Sequence, residues 1–225
     1  MAAIVVLMMS QAPVPHITNQ HHNNNNKTPK LLQPLVPGTV YTSTNFLSHG
    51  ECQAWIHLVE SDPTKLLYTQ YPASRSMAQR ECSRWQQHSW AVADALFERM
   101  QQSTLLLQLE ALLDVPQQRC HEQRPIAANG NIRVYKYEKG MSFGKHIDGN
   151  EQTERGKTQV TVLVYLSNCV GGGTRFHFGR REQVASEAVE GKILFHVHGD
   201  GCLEHEGDAV QEGVKYVLRT DLVYG

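Results

Sequence analysis

The 225-residue sequence lacks a charge excess of either sign, paired cysteines and any long apolar segment. Its 21 basic and 22 acidic residues give a formal net charge of −1, which argues against a nucleic-acid-binding surface. The five cysteines are scattered and form no Cys-x-x-Cys pair, so neither a zinc ribbon nor a full disulfide framework is expected. No apolar run approaches the roughly 20 residues that a membrane-spanning helix needs. We therefore expect neither a nucleic-acid partner nor a membrane partner.

The amino-terminal part has little that could form a core. Residues 11–37 contain five prolines and the run Asn23–Asn26, so we predict a disordered low-complexity tail over residues 1–37. The tail begins with an apolar run of about eight residues, which is short for a signal peptide and is not preceded by a basic residue. A cytoplasmic or nuclear location is favoured, and the secretory pathway remains the alternative.

Residues 38–225 are predicted to form one domain, because a chain of this length can bury one substantial core. Ser48-x-x-Glu51 is a capping box that predicts the start of a helix. Apolar residues then recur at helical spacing from Gln87 to Leu113, with a break near Ser103, so residues 46–113 are predicted as helical support. The polar segment Thr69–Trp85 between these helices is interpreted as a loop.

The carboxyl-terminal half is dominated by strand patterns. Gln159–Leu166 is the most strand-like run, and glycine-rich turns separate it from further runs at Lys192–Val197 and Val214–Tyr224. Short strands that follow helices predict an α+β, mainly β fold. We expect a jelly-roll core over residues 130–225 with helices packed outside it.

The stretch Ile132–Asp148 carries two potential metal ligands. Residues two apart in a strand point to the same side, so His146 and Asp148 can present an imidazole and a carboxylate to one point. These are two of the three ligands of the two-His-one-carboxylate triad that holds non-haem Fe(II).

The missing ligand has four histidine candidates, of which His205 is favoured because it lies in a loop before the last strand. On that strand Lys215, Val217 and Arg219 share a face, and a lysine that points into a barrel is costly unless an anion pairs with it. A dicarboxylic cosubstrate that chelates iron would supply this anion. The other three candidates for the ligand are His177, His196 and His198.

Several segments together resemble the 2-oxoglutarate- and Fe(II)-dependent dioxygenases of the prolyl 4-hydroxylase type. They are NFLSHGEC, RVYKYEKG, His146-x-Asp148, VTVLVYLS, GGGTRF and the final HEGDAVQEGVKYVLRTDLVY. The resemblance implies a double-stranded β-helix in which His146, Asp148 and His205 bind Fe(II) and Lys215 binds the distal carboxylate of 2-oxoglutarate. It also implies that Tyr137 donates a hydroxyl to that carboxylate, that Tyr165 lines its pocket, and that L-ascorbate keeps the iron reduced. Secondary site candidates are Arg219 and Thr161.

The activity that the resemblance implies is hydroxylation of an unactivated C–H bond, with release of succinate and CO₂. A prolyl residue in a protein or peptide is the favoured substrate, and the polar loops Thr69–Trp85 and Gly149–Lys157 are expected to close over it. The alternatives are a hydroxylase of a small molecule or free amino acid, an AlkB-like demethylase, and a catalytically silent jelly roll. Arg219 is expected to lie deeper than Lys215 or beyond the pocket, and to matter less for cosubstrate binding.

Overall fold

A computed structural model of the chain describes residues 31–74, 78–113 and 124–225. Its helices are α1 (His49–Ser61), α2 (Trp90–Gln102), α3 (Leu105–Leu112) and a short 3₁₀ turn, η1 (Gly199–Gly201). The first eight strands are β1 (Gln33–Val36), β2 (Val40–Ser43), β3 (Leu67–Tyr71), β4 (Arg80–His88), β5 (Pro125–Ala128), β6 (Asn131–Tyr137), β7 (Phe143–His146) and β8 (Gln152–Thr153). The remaining eight are β9 (Gly156–Tyr165), β10 (Cys169–Gly171), β11 (Thr174–Phe178), β12 (Glu182–Ser186), β13 (Ile193–Val197), β14 (His205–Gly207), β15 (Val210–Gly213) and β16 (Lys215–Tyr224).

The main sheet has the antiparallel order β1-β2-β13-β9-β16-β6-β4, with β3 added beside β4. Its two longest strands, β9 and β16, lie next to each other in the middle of the sheet. Strand β4 then connects to β7 through one pair, Arg80 with Phe143, and the order continues through β14, β11 and β12. The result is a nearly closed antiparallel sheet with three α-helices outside it, which confirms the predicted jelly-roll fold class.

The two faces of the main sheet have different partners, as period-two alternation requires. On β6, Ile132 and Val134 join the large hydrophobic cluster on the helix side, whereas Tyr135 and Tyr137 join a smaller cluster on the inner side. Strands β9, β13 and β16 follow the same rule. The inner face therefore supplies the walls of an internal pocket.

The helices cover the outer face of the sheet through large buried side chains. Trp55 on α1 lies 6.3 Å from Trp85 on β4 in an edge-to-face arrangement, and Leu96 and Leu109 come from α2 and α3. The predicted capping box is present: the Ser48 side chain accepts from the Glu51 N–H, and the Glu51 carboxylate accepts from the Ser48 N–H. The predicted break between α2 and α3 falls at Ser103 and Thr104.

Two interpretations of polar segments were wrong. Thr69–Trp85 is not one loop, because β3 and most of β4 occupy it and pair with each other. The region predicted as helical support therefore also contributes strands to the sheet. Strand β8 and the start of β9 likewise lie within the predicted loop Gly149–Lys157.

The sheet also begins earlier in the chain than residue 38. Strand β1 lies within the segment that was predicted as a tail, and it pairs with β2. Its side chains are exposed or half-buried, which explains why composition alone gave no sign of it. Residues 1–30, with the asparagine run, lie outside the described residues.

Candidate active site

The structure brings His146, Asp148 and His205 together. His146 ends β7 and His205 begins β14, and the two residues are direct partners across these antiparallel strands. One ligand atom from each of the three side chains lies within 4.8 Å of the other two. The His205 ring stacks on Phe176 and the His146 ring on Phe143, so packing fixes the orientation of both imidazoles. This is the donor set, two imidazoles and one carboxylate, that suits Fe(II).

Both imidazoles are held in the tautomer that metal binding needs. The Nδ1 of His146 lies 2.8 Å from the Gly144 carbonyl, and the Nδ1 of His205 lies 2.9 Å from the Leu203 carbonyl. A carbonyl can only accept, so each Nδ1 carries the proton and each Nε2 is left with its lone pair. Each Nε2 lies 3.8 Å from a carboxylate oxygen of Asp148. Burial lowers the pKa of His146 to about 4 and also lowers the pKa of His205, which keeps both rings neutral.

Asp148 is a buried carboxylate that is held from two directions. Thr161 donates its hydroxyl to Oδ2 at 2.8 Å, and the Arg219 guanidinium donates to Oδ1 at 3.2 Å and lies 3.0 Å from Oδ2. Burial alone would raise the pKa of Asp148, but the positive charge of Arg219 outweighs this effect, and the pKa lies well below its ordinary value. The carboxylate is thus ionised, as a metal ligand must be.

Lys215 lies in the same pocket and is also buried, at 4 % exposure. Its Nζ lies 5.1 Å from the centre of the Tyr137 ring and 5.7 Å from that of Tyr165, and within the described parts of the chain no carboxylate lies at ion-pair distance. Burial lowers its pKa to about 8. A buried ammonium without an acidic partner is a binding site for an anion.

The space beside this ammonium is kept by glycine. A Cβ atom on Gly207 would lie 3.8 Å from Lys215 Nζ, so any larger side chain there would crowd it. Tyr137 is the direct strand partner of Lys215, and the Tyr165 hydroxyl donates to Thr174 at 2.8 Å. The structure places Tyr137 and Tyr165 beside Lys215, but of the two tyrosines only Tyr137 lines the pocket. The roles of all three residues in cosubstrate binding remain predictions.

The expectation for the position of Arg219 was wrong. Arg219 lines the pocket, but its guanidinium is occupied by Asp148, Thr161 and Asp221. Asp221 in turn accepts from Arg133 at 2.7 Å. Arg219 therefore supports the carboxylate of the metal site and lies neither deeper nor beyond the pocket.

The other candidate histidines lie at or near the site in different roles. His177 is paired with Glu206 at 2.8 Å, and His198 lies 2.7 Å from the Thr161 hydroxyl. His196 is fully buried, and its Nε2 makes no hydrogen bond among the described residues although it lies 3.4 Å from Asp148 Oδ2.

Sequence reasoning missed the residues that support the ligands. Phe143 and Phe176 stack on the imidazole rings. Asp221 accepts hydrogen bonds from both Arg133 and Arg219, which fixes the position of the Arg219 guanidinium. Asp221 lies two residues after Arg219 on the same strand, so the alternation that placed Lys215 and Arg219 on one face could also have placed this carboxylate beside the guanidinium.

The grouped residues line a small, partly open cavity between β6, β7, β9, β11, β13, β14 and β16. The iron-ligand candidates and Lys215 line this single cavity. A ligand that contacts the metal position and the ammonium together would carry an anionic group at the end next to Lys215.

Comparison with known families gives one match. Residues 132–220 match the model of the 2OG-Fe(II) oxygenase superfamily, a range that contains both histidines, Asp148 and Lys215. A search of curated proteins gives no match.

Solved structures with this fold include several oxygenases. A viral collagen prolyl hydroxylase from Paramecium Bursaria Chlorella virus-1, in complex with 2OG, is 17% identical with a TM-score of 0.53, covering 81% of this chain and 94% of its own. A prolyl hydroxylase from Trichoplax adhaerens, in complex with a peptide fragment of the hypoxia inducible factor oxygen degradation domain, is 15% identical with a TM-score of 0.55, covering 83% and 84%. The structure of OsALKBH1 is 14% identical with a TM-score of 0.58, covering 85% and 99%. At these identities the similarity shows the fold alone.

Proposed function

We propose that this chain, which carries a 2OG-Fe(II) oxygenase domain at residues 132–220, hydroxylates a prolyl residue in a protein or peptide. The cosubstrate is 2-oxoglutarate, and the products are the hydroxylated substrate, succinate and CO₂. His146, Asp148 and His205 hold Fe(II), and Lys215 holds the distal carboxylate of 2-oxoglutarate. When bound, the iron and 2-oxoglutarate supply the oxidising power for attack on a C–H bond.

One observation carries the proposal: a buried, unpaired ammonium lies in the same cavity as two neutral imidazoles and an ionised carboxylate. Each group alone has an ordinary structural explanation, but together they match both ends of 2-oxoglutarate. A silent jelly roll would have no reason to keep Lys215 buried without an acidic partner, because that arrangement costs stability.

The protein's own residues have positioning roles in this function. The Gly144 and Leu203 carbonyls orient the imidazoles, Thr161 and Arg219 orient the carboxylate, and Lys215 orients the cosubstrate. The aromatic rings of Tyr137 and Tyr165 lie near the Lys215 ammonium, with their centres 5.1 Å and 5.7 Å from its Nζ. Tyr137 also presents the hydroxyl that we assign to the cosubstrate carboxylate.

Support for a prolyl substrate comes from the aromatic surface around the metal ligands. Tyr135 lines the cavity and offers this surface, whereas the Phe143 ring is covered by His146 and by the Arg80 guanidinium. Aromatic surfaces of this kind are used to bind prolyl rings. The Trichoplax structure with the same fold carries a peptide substrate fragment, which is consistent with this choice.

Support for an extended peptide comes from β3. This strand pairs with β4, and among the described strands its other edge has no partner. Tyr71 on β3 lies directly across from Arg80, which in turn pairs with Phe143 of β7, so one strand separates β3 from the strand that carries His146. Leu67, Tyr68 and Tyr71 are exposed there, and an added peptide strand would cover them.

The test is turnover of a peptide library by the full chain with Fe(II), 2-oxoglutarate and ascorbate, with mass detection of one added oxygen. We expect oxygen on prolyl residues in the intact chain and none with Asp148→Ala. Turnover of free amino acids or small molecules alone would assign the same chemistry to another substrate, and turnover of methylated nucleic acid alone would favour the AlkB-like alternative. No succinate with any of these would contradict the proposal.

The proposal also includes ascorbate as the reductant and a cytoplasmic or nuclear location. Ascorbate would keep the iron reduced, and the rate should fall in its absence. The four cysteines of the described residues are all free, which is consistent with the reducing environment of the cytoplasm or nucleus. None of the described helices is long and apolar enough to cross a membrane.

A further inference from the structure

The segment between β13 and β14 carries two side chains that the proposed function leaves unused. His196 lies in β13, Cys202 follows η1, and His205 begins β14, so three potential metal ligands come from ten consecutive residues. Gly199, with a φ of +66°, allows the tight turn that places Cys202 between the two histidines.

The geometry of these three side chains suits a metal ion. Cys202 Sγ lies 4.0 Å from His196 Nδ1 and 3.9 Å from His205 Nδ1, and one ligand atom from each residue lies within 4.8 Å of the others. Tetrahedral zinc with bonds of about 2.3 Å to sulfur and about 2.1 Å to nitrogen places these atoms about 3.6 Å apart. Only a few tenths of an ångström separate the observed distances from that value.

The environment of the three residues also fits a closed metal site. All three are buried, and His196 and His205 line the cavity, which gives an ion a way in. His196 is buried, and its Nδ1, the nitrogen that faces Cys202, has only a long 3.3 Å contact with the Val197 carbonyl oxygen. A metal ion beside Cys202 would give this nitrogen a stronger partner.

We propose that His196, Cys202 and His205 form a second metal site, selective for a thiolate-binding divalent cation such as Zn²⁺, that competes with the iron site for His205. Zinc would take the thiolate of Cys202 and two imidazoles, and a water molecule from the cavity would complete four-coordination. Binding releases the thiol proton of Cys202 to solvent. Zinc is therefore an inhibitor that acts by withdrawing one iron ligand.

Competition follows from the tautomers of His205. A neutral imidazole has one nitrogen with a free lone pair. With the proton on Nδ1, donated to the Leu203 carbonyl, His205 presents Nε2 to the Asp148 side. With the proton on Nε2 it presents Nδ1 to Cys202. One neutral ring cannot serve both sites at once.

The same geometry gives selectivity between the two metals. A metal ion that binds Nδ1 breaks the hydrogen bond from His205 to the Leu203 carbonyl. Only a cation with a strong preference for thiolate gains enough binding free energy from Cys202 to offset this loss. Hard cations such as Mg²⁺ and Mn²⁺ should remain at the oxygen-containing site with Asp148.

The test uses Co²⁺ as a spectroscopic substitute for zinc in the metal-free full chain, without oxygen. We expect a thiolate-to-cobalt charge-transfer band in the unchanged chain and in Asp148→Ala, and loss of that band in Cys202→Ser and Cys202→Ala. Cys82→Ser is the matched control, because Cys82 is an equally buried free thiol outside the group, and it should keep the band. Circular dichroism of each variant verifies folding.

A second measurement separates this inference from the iron proposal. Fe(II) and 2-oxoglutarate should give the same absorption band in Cys202→Ser as in the unchanged chain. Removal of that band from Cys202→Ser should need at least about tenfold more Zn²⁺ than its removal from the unchanged chain. No cobalt–thiolate band in the unchanged chain, or the same band in Cys202→Ser, would overturn the second site. Failure of the iron band with a normal cobalt–thiolate band would instead contradict the proposed function.

Discussion

Hydrogen bonds to the backbone orient the two histidines of the proposed iron site. The carbonyls of Gly144 and Leu203 accept from Nδ1 of His146 and His205, which leaves each Nε2 able to bind a metal ion. We predict that His146→Ala, Asp148→Ala and His205→Ala each abolish Fe(II) binding and 2-oxoglutarate turnover, because a triad without one ligand loses affinity and geometry. Anaerobic iron titration measures this. His177→Ala is the control, since His177 pairs with Glu206 and should leave the iron in place. Iron loss in His196→Ala together with full activity in His205→Ala would assign the third ligand to His196.

Lys215 should determine the affinity for 2-oxoglutarate and its pH dependence. Removal of one partner of a buried charge pair costs about 3–5 kcal/mol, so Lys215→Ala should raise the KM for 2-oxoglutarate by roughly two to four decades while iron affinity stays almost unchanged. The lowered pKa of about 8 means that the ammonium is present below that pH and is lost above it. In the unchanged chain the KM should therefore be flat below pH 8 and rise above it. A KM in Lys215→Ala equal to that of the unchanged chain would remove Lys215 as the anchor.

Arg219 is predicted to affect the metal more than the cosubstrate. It donates to Asp148 and is itself braced by Asp221, so Arg219→Ala leaves the carboxylate without one of its two supports. Loss of such an outer partner typically lowers metal affinity by about 10–100-fold. Iron titration with and without saturating 2-oxoglutarate should show this loss at either cosubstrate level. A normal iron affinity combined with a steep rise in the KM for 2-oxoglutarate would instead make Arg219 the carboxylate anchor.

At the scale of elements, the sequence predicted the features that depend on periodicity and missed those that depend on strand pairing. The alternation in β16 correctly placed Lys215 and Arg219 together on the cavity side, and Ser48 correctly marked the start of α1. Strand β3 was missed because its residues are mostly exposed and do not alternate between apolar and polar. Strand β4 was missed because its two buried side chains, Cys82 and Trp85, lie on opposite faces among polar residues, so no apolar alternation is visible. The partners of Arg219 depend on which strands are neighbours, and composition carries no information about that.

The connection between β12 and β13 depends on one glycine. Gly191 has a φ of +75°, and a Cβ atom there would lie 2.3 Å from the Leu47 carbonyl oxygen. Gly191→Ala should therefore lower the free energy of unfolding by about 2 kcal/mol or more, through backbone strain and displacement of Leu47.

Gly50 provides the matched control for this change. It lies in α1, and a Cβ atom there would meet no other atom within 4 Å, so Gly50→Ala should raise the free energy of unfolding by up to about 1 kcal/mol. Urea unfolding followed by circular dichroism measures both variants. Equal stability of the two variants would contradict the role of Gly191.

At the scale of the whole molecule, the candidate site coincides with a group of charged side chains that are largely removed from solvent. Asp148, Asp221 and Lys215 are buried beside the half-buried Arg219, a combination that is costly for a fold without a ligand. Arg219 offsets the charge of the two carboxylates, but within the described residues Lys215 has no such partner. Ligand binding should therefore contribute to stability in two separable steps, one for the metal and one for the cosubstrate.

This separation gives a prediction for the thermal stability of the whole chain. A ligand that binds only the folded state, at about 100 times its Kd, adds about 2.7 kcal/mol to the free energy of unfolding. Mn²⁺, used as an inert substitute for Fe(II), should raise the Tm of the unchanged chain, and 2-oxoglutarate should raise it again. Lys215→Ala should keep the first increase and lose most of the second, whereas Asp148→Ala should lose both, because 2-oxoglutarate chelates the metal. An undiminished second increase in Lys215→Ala would mean that the distal carboxylate of 2-oxoglutarate is held elsewhere in the cavity.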